Sequence, residues 1–507
     1  MPADGVHFNL AEYFIGEART GQIGDRTAIE FRDTRVTYNE LRAQVARWAR
    51  FIASCGVSEG ERVALLLYDS PEFIACFLGA VSLGAVCVPI NTFLSADEVE
   101  FILADSGARQ VIAESELEGK VAATRRASLV TVDTATRRPS REATESANPR
   151  FAATTRQTPA FLLYTSGSTG SPKGVLHLHG SIPYTVESYA ANVLRLTSED
   201  RVYSSSRMFF AYGLGNSLSF PLATGATVIL DTDRPTPERL ARLFKKQSPT
   251  VFFGVPAVYL SLLGSSSDFD LSSVRMCVSA GEALPAKIFE DWRLRVGLEI
   301  LDGIGSTEML HIFISNREGQ ARAGSSGQVV EGYAARLTDD SGNEVGANDL
   351  GNLWVRGESA TVGYWNRPDL TAQTLVDGWV RTGDVYRKDE ALFFYHVGRS
   401  DDCFKVSGLW VSPVEIESVL MSHEEVSEAA VVSAVDASGL ATARAYVVIR
   451  KAEREEALKE DLRKFVSLRL PQYKVPSQIE FIDEMPRTST GKIQRYKLRA
   501  QESKLEV

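Results

Sequence analysis

Little in this sequence belongs to a secreted or metal-scaffolded protein. It has 5 cysteines and 6 histidines in 507 residues. Cys55, Cys76, Cys87, Cys277 and Cys403 are odd in number and widely spaced, with no Cys-x-x-Cys. That excludes a disulfide framework or a cysteine zinc site and fits a reducing cytoplasm. His177 and His179 form a His-x-His pair with no third ligand nearby, whereas structural zinc usually takes four, so no metal is read there. Met1-Pro2-Ala3-Asp4-Gly5 lacks the basic and apolar regions of a signal peptide. Basic residues are outnumbered 55 to 65, a net charge of −10, so there is no global electrostatic reason to seek nucleic acid or an anionic membrane. Net charge is only an average, and local basic patches are compatible with it. Phe73 to Ala96 carries no charged side chain, long enough to raise the question of a membrane span. Gly84 and Pro89 interrupt it, which points instead to a buried helix over 71–83 and a buried strand over 85–90. No internal repeat or low-complexity segment is present.

What is present is ordinary globular composition, 44% hydrophobic and 24% charged, with length for roughly three domains at about 150 residues each. Thr37-Tyr38-Asn39-Glu40 is a capping box, and Leu41, Val45, Trp48 and Ile52 follow at the spacing of a half-buried helix. Apolar runs at 62–67, 159–164, 227–230 and 250–253 read as strands, with helical segments such as 237–246 between them. Strands alternating with helices predict α/β layers with largely parallel sheets. After about Gly324 short strands at 334–338, 353–356 and 391–396 are separated by turn clusters such as Asp340-Ser341-Gly342-Asn343, which predicts a β-rich subdomain. The last hundred residues alternate again: helix 414–421, strands 428–435 and 444–450, helix 455–469.

The strongest local feature follows the apolar run at 159–164. It reads Tyr164-Thr165-Ser166-Gly167-Ser168-Thr169-Gly170-Ser171-Pro172-Lys173-Gly174. Three glycines, five serines and threonines and a lysine suit a loop that presents N–H and O–H donors to phosphate oxygens. The Lys-Gly order is not that of a Walker A loop, and the spacing is not Gly-x-Gly-x-x-Gly.

This loop resembles the phosphate-binding motif of the adenylate-forming superfamily of acyl-CoA synthetases, adenylation domains and luciferases. Further motifs of that superfamily recur in order. They are Ser279-Ala280-Gly281-Glu282 and Asp302-Gly303-Ile304-Gly305-Ser306-Thr307-Glu308. Trp379-Val380-Arg381-Thr382-Gly383-Asp384, Gly398-Arg399-Ser400-Asp401-Asp402 and Pro486-Arg487-Thr488-Ser489-Thr490-Gly491-Lys492-Ile493 follow. Phe209-Phe210-Ala211-Tyr212-Gly213-Leu214-Gly215-Asn216, Ser306 to Phe313 and Lys405-Val406-Ser407-Gly408 resemble the benzoate–CoA ligase branch. Arg207-Met208, where that branch leads us to expect Lys-Leu, and Leu178 and Gly180 depart from the pattern.

The resemblance implies an α/β fold. A body of layered α/β subdomains over residues 1–399, with the β-rich subdomain at about 324–399, precedes a hinge at 400–402. A small mobile α+β lid domain follows over 403–507. It implies an AMP-forming acid–thiol ligase that makes an acyl-adenylate and then a CoA thioester, with ATP, Mg2+ and coenzyme A required. By analogy Lys492 bridges the acid's carboxylate and the phosphate, and Thr307 donates to the α-phosphate. Glu308 is the magnesium-side carboxylate. Thr165, Ser166, Gly167, Ser168, Thr169, Gly170 and Lys173 surround the phosphates. Gly281 and Glu282 belong to the adenine-side motif, Asp302, Gly303 and Ile304 also contact the nucleotide, and Asp384 and Arg399 hold the ribose. Phe209, Ala211, Tyr212, Gly305 and His311 form a flat acid pocket. Glu308 and His311, three apart, would share a face on a helix. Asp401 is the hinge residue. Rotation about it would exchange Lys492 for the face carrying Lys405, with Ser407 and Gly408 lining a CoA tunnel and Lys474 a candidate CoA contact. The resemblance implies a benzoate as the acid, with an ortho-substituted acid such as 2-aminobenzoate as the alternative. A separate carrier protein as acceptor and a homodimer stay open.

Overall fold

A computed structural model describes residues 6–133, 149–165, 172–267, 269–406, 409–435, 440–450, 456–487 and 493–499. Three sheets make up the body. The first has nine strands, ordered Gln328–Val329, Ile312–Ser315, Ile300–Gly305, Met276–Ser279, Val251–Gly254, Arg201–Ser204, Thr227–Leu230, Thr27–Phe31 and Thr34–Thr37. The six from Ile300–Gly305 to Thr27–Phe31 run parallel, and the edges are antiparallel. The second sheet has seven strands, ordered Gly363–Tyr364, Lys173–Leu178, Pro159–Thr165, Val86–Pro89, Arg62–Leu66, Gln110–Glu114 and Leu129–Val132. It too is parallel except at the hairpin Pro159–Thr165/Lys173–Leu178 and the short strand beside it. Parallel strands must be covered on both faces, which is why they read as unbroken apolar runs.

The run without charges at 73–96 is resolved by burial. Ser70 caps the helix Pro71–Ser82, whose Pro71 occupies the first turn, and Gly84 follows at φ 72°. Every apolar side chain of that helix is buried, against the helix Tyr38–Ser54 and the strands beside it. Among the described residues no helix is long and apolar enough to cross a membrane. The capping box at Thr37 and Glu40 forms with both reciprocal hydrogen bonds.

The β-rich part is the third sheet, Ala334–Thr338, Leu350–Arg356, Trp379–Lys388 and Leu375–Val376, with Phe394–Arg399 paired to Trp379–Lys388. The strand expected at 391–396 begins later because 389–393 close the turn: Phe393 N–H donates to the Asp389 carboxylate at 2.8 Å, with Leu392 at φ 65°. The small C-terminal domain contains the hairpin Phe404–Val406/Leu409–Val411, a three-stranded sheet and the helices Pro413–Met421 and Glu456–Ser467. Its core is separate from that of the body.

Candidate active site

The carboxyl ends of parallel strands in the first sheet carry residues 209–212, 281–282 and 305–311, the end at which open parallel sheets bind ligands. Strand Ile300–Gly305 leads into residues 306–311, and Ile312–Ser315 returns antiparallel with Ile312 opposite Gly305. The chain must therefore reverse within six residues. Residues 306–311 form a turn with Leu310 at φ 67°, and the helix on which Glu308 and His311 would share a face does not exist. The two side chains part. Tyr364 O–H donates to Glu308 Oε1 at 2.6 Å, and His311 Nε2 donates to Asn216 Oδ1 at 3.2 Å.

His311 is buried among Tyr189, Tyr212 and Phe220, whose ring centroids lie 5.4, 5.5 and 4.5 Å from its own. Burial pushes its pKa down to about 3, so the imidazole is neutral. Asn216 Nδ2 donates onward to Ser204 Oγ, so the polar chain runs back to the start of the loop bearing Phe209. Two glycines make room. A Cβ on Gly215 would lie 2.3 Å from His311 Cδ2, and one on Gly305 would lie 2.6 Å from the His311 carbonyl oxygen. Ala211 and Tyr212 open the short helix Ala211–Leu214, and the Tyr212 hydroxyl donates to the Gly254 carbonyl. Tyr212, Gly305 and His311 are thus brought together. Phe209 is buried two residues upstream, edge-on to Phe93 and Phe210.

Of the residues expected to contact the nucleotide, Asp302 lies opposite Ser279 in adjacent strands. Its carboxyl is buried, and desolvation raises its pKa well above the usual carboxylate range. Oδ1 has no partner among the described residues, which leaves an acceptor for a donor such as an exocyclic amino group. Gly303 and Ile304 continue that strand, and Gly281 at φ 94° carries the turn before Glu282. In the third sheet Asp384 stands opposite Arg399, whose guanidinium donates to Asp384 Oδ1 at 3.0 Å and to the Thr382 carbonyl at 2.8 Å. Despite partial burial, the Asp384 carboxylate keeps Arg399 firmly charged. Thr165 and Lys173 are cross-strand partners flanking the glycine-rich loop, and the Lys173 ammonium has no partner among the described residues. Ser166, Gly167, Ser168, Thr169 and Gly170 lie outside the described residues, as do Ser407, Gly408 and Lys492.

Lys405 sits mid-strand in Phe404–Val406, opposite Trp410. Asp401 is exposed. Its neighbour Asp402 makes the ties across this segment, to Arg499 and, at 3.8 Å, to Arg495. Lys474 is held by Glu415 at 2.5 Å.

Three contributors were not picked out from sequence as site residues. Tyr364 holds Glu308. His177, buried and stacked on Phe161, donates Nε2–H to the Thr307 carbonyl at 2.8 Å, and desolvation lowers its pKa to about 4. His179 is buried too and accepts from the Leu10 N–H at 3.0 Å. The His-x-His pair is therefore two separate structural contacts, and no metal-holding cluster occurs among the described residues. His177 lies in the strand Lys173–Leu178 and His179 just past its end, and their separate partners set them apart from a ligand pair. The third contributor is Asp69, whose buried Oδ1 accepts from the Met208 N–H at 3.1 Å, beneath Phe209.

Residues 17–365 match the family model of AMP-binding enzymes, and residues 415–492 match the AMP-binding enzyme C-terminal domain. The chain belongs to the AMP-binding enzyme family. This family member is 41% identical to the benzoate–CoA ligase of Thauera aromatica, covering 97% of this chain and 96% of the relative. A structure of the anthranilate CoA ligase AuaEII in complex with anthranoyl-AMP superposes with a TM-score of 0.93 at 36% identity, over 99% and 98% of the two chains. A benzoate CoA ligase from Burkholderia xenovorans LB400 gives 0.89 at 40% identity, over 97% and 100%. The resemblance to the benzoate–CoA ligase branch and the α/β body with a small C-terminal domain are both borne out.

Proposed function

We propose that this AMP-binding enzyme is an ATP-dependent aryl-CoA ligase of the benzoate type. In the first half-reaction a carboxylate oxygen of the acid attacks the α-phosphorus of ATP, the bond to pyrophosphate breaks, and an acyl-adenylate forms. In the second the CoA thiol gives up its proton, its sulfur attacks the acyl carbon, and the bond to the AMP oxygen breaks. Both halves bring anions together, so positioned donors and cations matter more than covalent help.

The observation that carries this reading is one turn, residues 306–311, with a carboxylate on one side and an aromatic-lined neutral imidazole on the other. Glu308 suits a magnesium-side position: Tyr364 occupies one of its oxygens, the other has no partner among the described residues, and hard oxygen ligands suit that ion. Magnesium would supply charge neutralisation at the phosphates. Asp384 and Arg399 are arranged to take ribose hydroxyls, and Asp302 Oδ1 to accept from adenine. The neutral His311 and the rings of Tyr212 and Tyr189 suit a flat, uncharged aryl group. Lys492 and Lys405 serve adenylation and thioester formation in turn, on either side of a hinge at 400–402, with Ser407 and Gly408 toward CoA.

Turnover of benzoate, 2-amino-, 2-hydroxy- and 4-hydroxybenzoate with free CoA, against hexanoate, tests this. A benzoate should have the highest kcat/KM, and hexanoate in first place would refute the aryl pocket. The close superposition on a ligase holding anthranoyl-AMP favours 2-aminobenzoate as the second reading. Adenylate that accumulates without thioester when CoA is supplied would point to a carrier protein as acceptor.

A further inference from the structure

The outer face of the third sheet carries a basic, aromatic array unrelated to the site above. Arg336 pairs across strands with Trp354, and Trp354 with Arg381, so the three form one row. One step along, Arg356 lies over Trp379 at 5.0 Å. Arg336 lies 4.4 Å from the Trp379 ring centroid and 5.7 Å from that of Trp354, and Arg381 lies 5.9 Å from Trp354. The alternate residues Leu337, Leu353, Val355 and Val380 are buried beneath. Arg356 and Arg381 are exposed; Arg336 and both tryptophans are half-buried.

Among the described residues none of these three guanidinium groups has a hydrogen bond or an ion-pair partner. Arg336 Nε is hidden from solvent and still unpartnered. In a chain with ten surplus negative charges, three stacked arginines without a carboxylate between them stand apart from the usual surface pairing. The indoles pack against the guanidinium groups, so less side-chain freedom is left to lose when a partner binds.

We infer that this face docks an acidic protein partner that presents carboxylates along a helix. Adjacent strands are about 4.8 Å apart, so Arg336 and Arg381 are separated by roughly 10 Å across the row. Acidic residues two turns apart on a helix span about the same distance, with others at i+3 and i+4 between them. A small nucleotide fits less well. The face is an open sheet rather than a cleft, and each indole is flanked by two guanidiniums, which leaves no free ring for a purine. A symmetric contact with a second copy would set arginine against arginine. Arg381 is three residues from Asp384 on one strand, so a docked partner sits about 10 Å from the ribose end of the site.

The test uses the full chain and a fluorescein-labelled helical peptide with glutamates at i, i+4 and i+7, followed by anisotropy at 50 and 300 mM salt. The wild type should bind, more weakly at high salt. Arg381→Glu, at an exposed position, and the triple variant Arg336→Gln/Arg356→Gln/Arg381→Gln should each bind at least tenfold more weakly. Thioester formation with free CoA should stay within twofold, a separate readout of the catalytic reading. Equal binding by wild type and variants, or no binding by the wild type at 50 mM salt, overturns the inference. So does a raised KM for CoA in Arg381→Glu, which would make the face a nucleotide subsite instead.

Discussion

Asp69 offers a prediction whose size follows from its surroundings. It precedes the cap of helix Pro71–Ser82 and is 3% exposed. Its contacts are the Met208 N–H and, at longer range, the charges of Arg207 and Asp231. Arg207 gives its own donors to the carbonyls of Asp231, Thr232 and Asp233. Desolvation therefore dominates and raises the Asp69 pKa from 3.8 to about 6. The folded state then holds this proton more tightly than the unfolded state. As pH rises from about 4 to about 6 the unfolded chain releases it first, and stability falls. Above that window the carboxylate costs about 3 kcal/mol, at 1.36 kcal/mol per pH unit. Asp69→Asn keeps an acceptor for Met208 and removes the charge. The variant should be more stable at pH 8, by about 4 °C in thermal midpoint for a cooperative unit of roughly 400 residues. By pH 4.5 the advantage should shrink to about 1 kcal/mol. Thermal unfolding of both proteins at the two pH values measures it. A variant no more stable than wild type at pH 8, or a gap that does not narrow with acid, refutes the reasoning.

Other perturbations separate the parts of the site. Lys492→Ala should abolish acid-dependent pyrophosphate exchange, while Lys405→Ala should slow transfer from preformed adenylate to CoA; single-turnover assays distinguish the two steps. Tyr364→Phe removes a donor to a carboxylate, an interaction of about 1.5–3 kcal/mol, so adenylation should slow roughly 10- to 100-fold in rapid-quench measurements. Gly215→Ala drives a methyl group into the His311 ring, so KM for the acid should rise at least tenfold with KM for ATP unchanged in steady-state kinetics.

The parallel sheets and most element boundaries were legible because apolar runs and caps are local signals; Ser70-Pro71 and the Thr37 capping box are examples. The β-rich texture after Gly324 was legible for the same reason. The shape of 306–311 was not. Spacing alone allowed a helix, and the reversal is imposed by Ile312 pairing back onto Gly305, a tertiary demand. Tyr364 and His177 were hidden for a related reason. They reach Glu308 and Thr307 from the second sheet, across 56 and 130 residues of chain, which no local pattern records. Asp401 drew attention as the residue at the hinge motif, yet the contacts belong to Asp402, because the turn at 401–402 faces the first to solvent and the second to Arg495 and Arg499.

The hydrogen bond from His177 to Thr307 has a consequence for how the two substrates sense one another. His177 belongs to the strand that leaves the glycine-rich loop, and Thr307 lies in the turn that ends in His311. On the proposed function, this contact ties the strand on the nucleotide side to the turn on the acid side. The expected outcome is that nucleotide binding changes the acid's affinity through this tie. By thermodynamic reciprocity the acid alters nucleotide affinity by the same factor. Equilibrium titrations of each substrate in the presence of the other would read that factor from both directions.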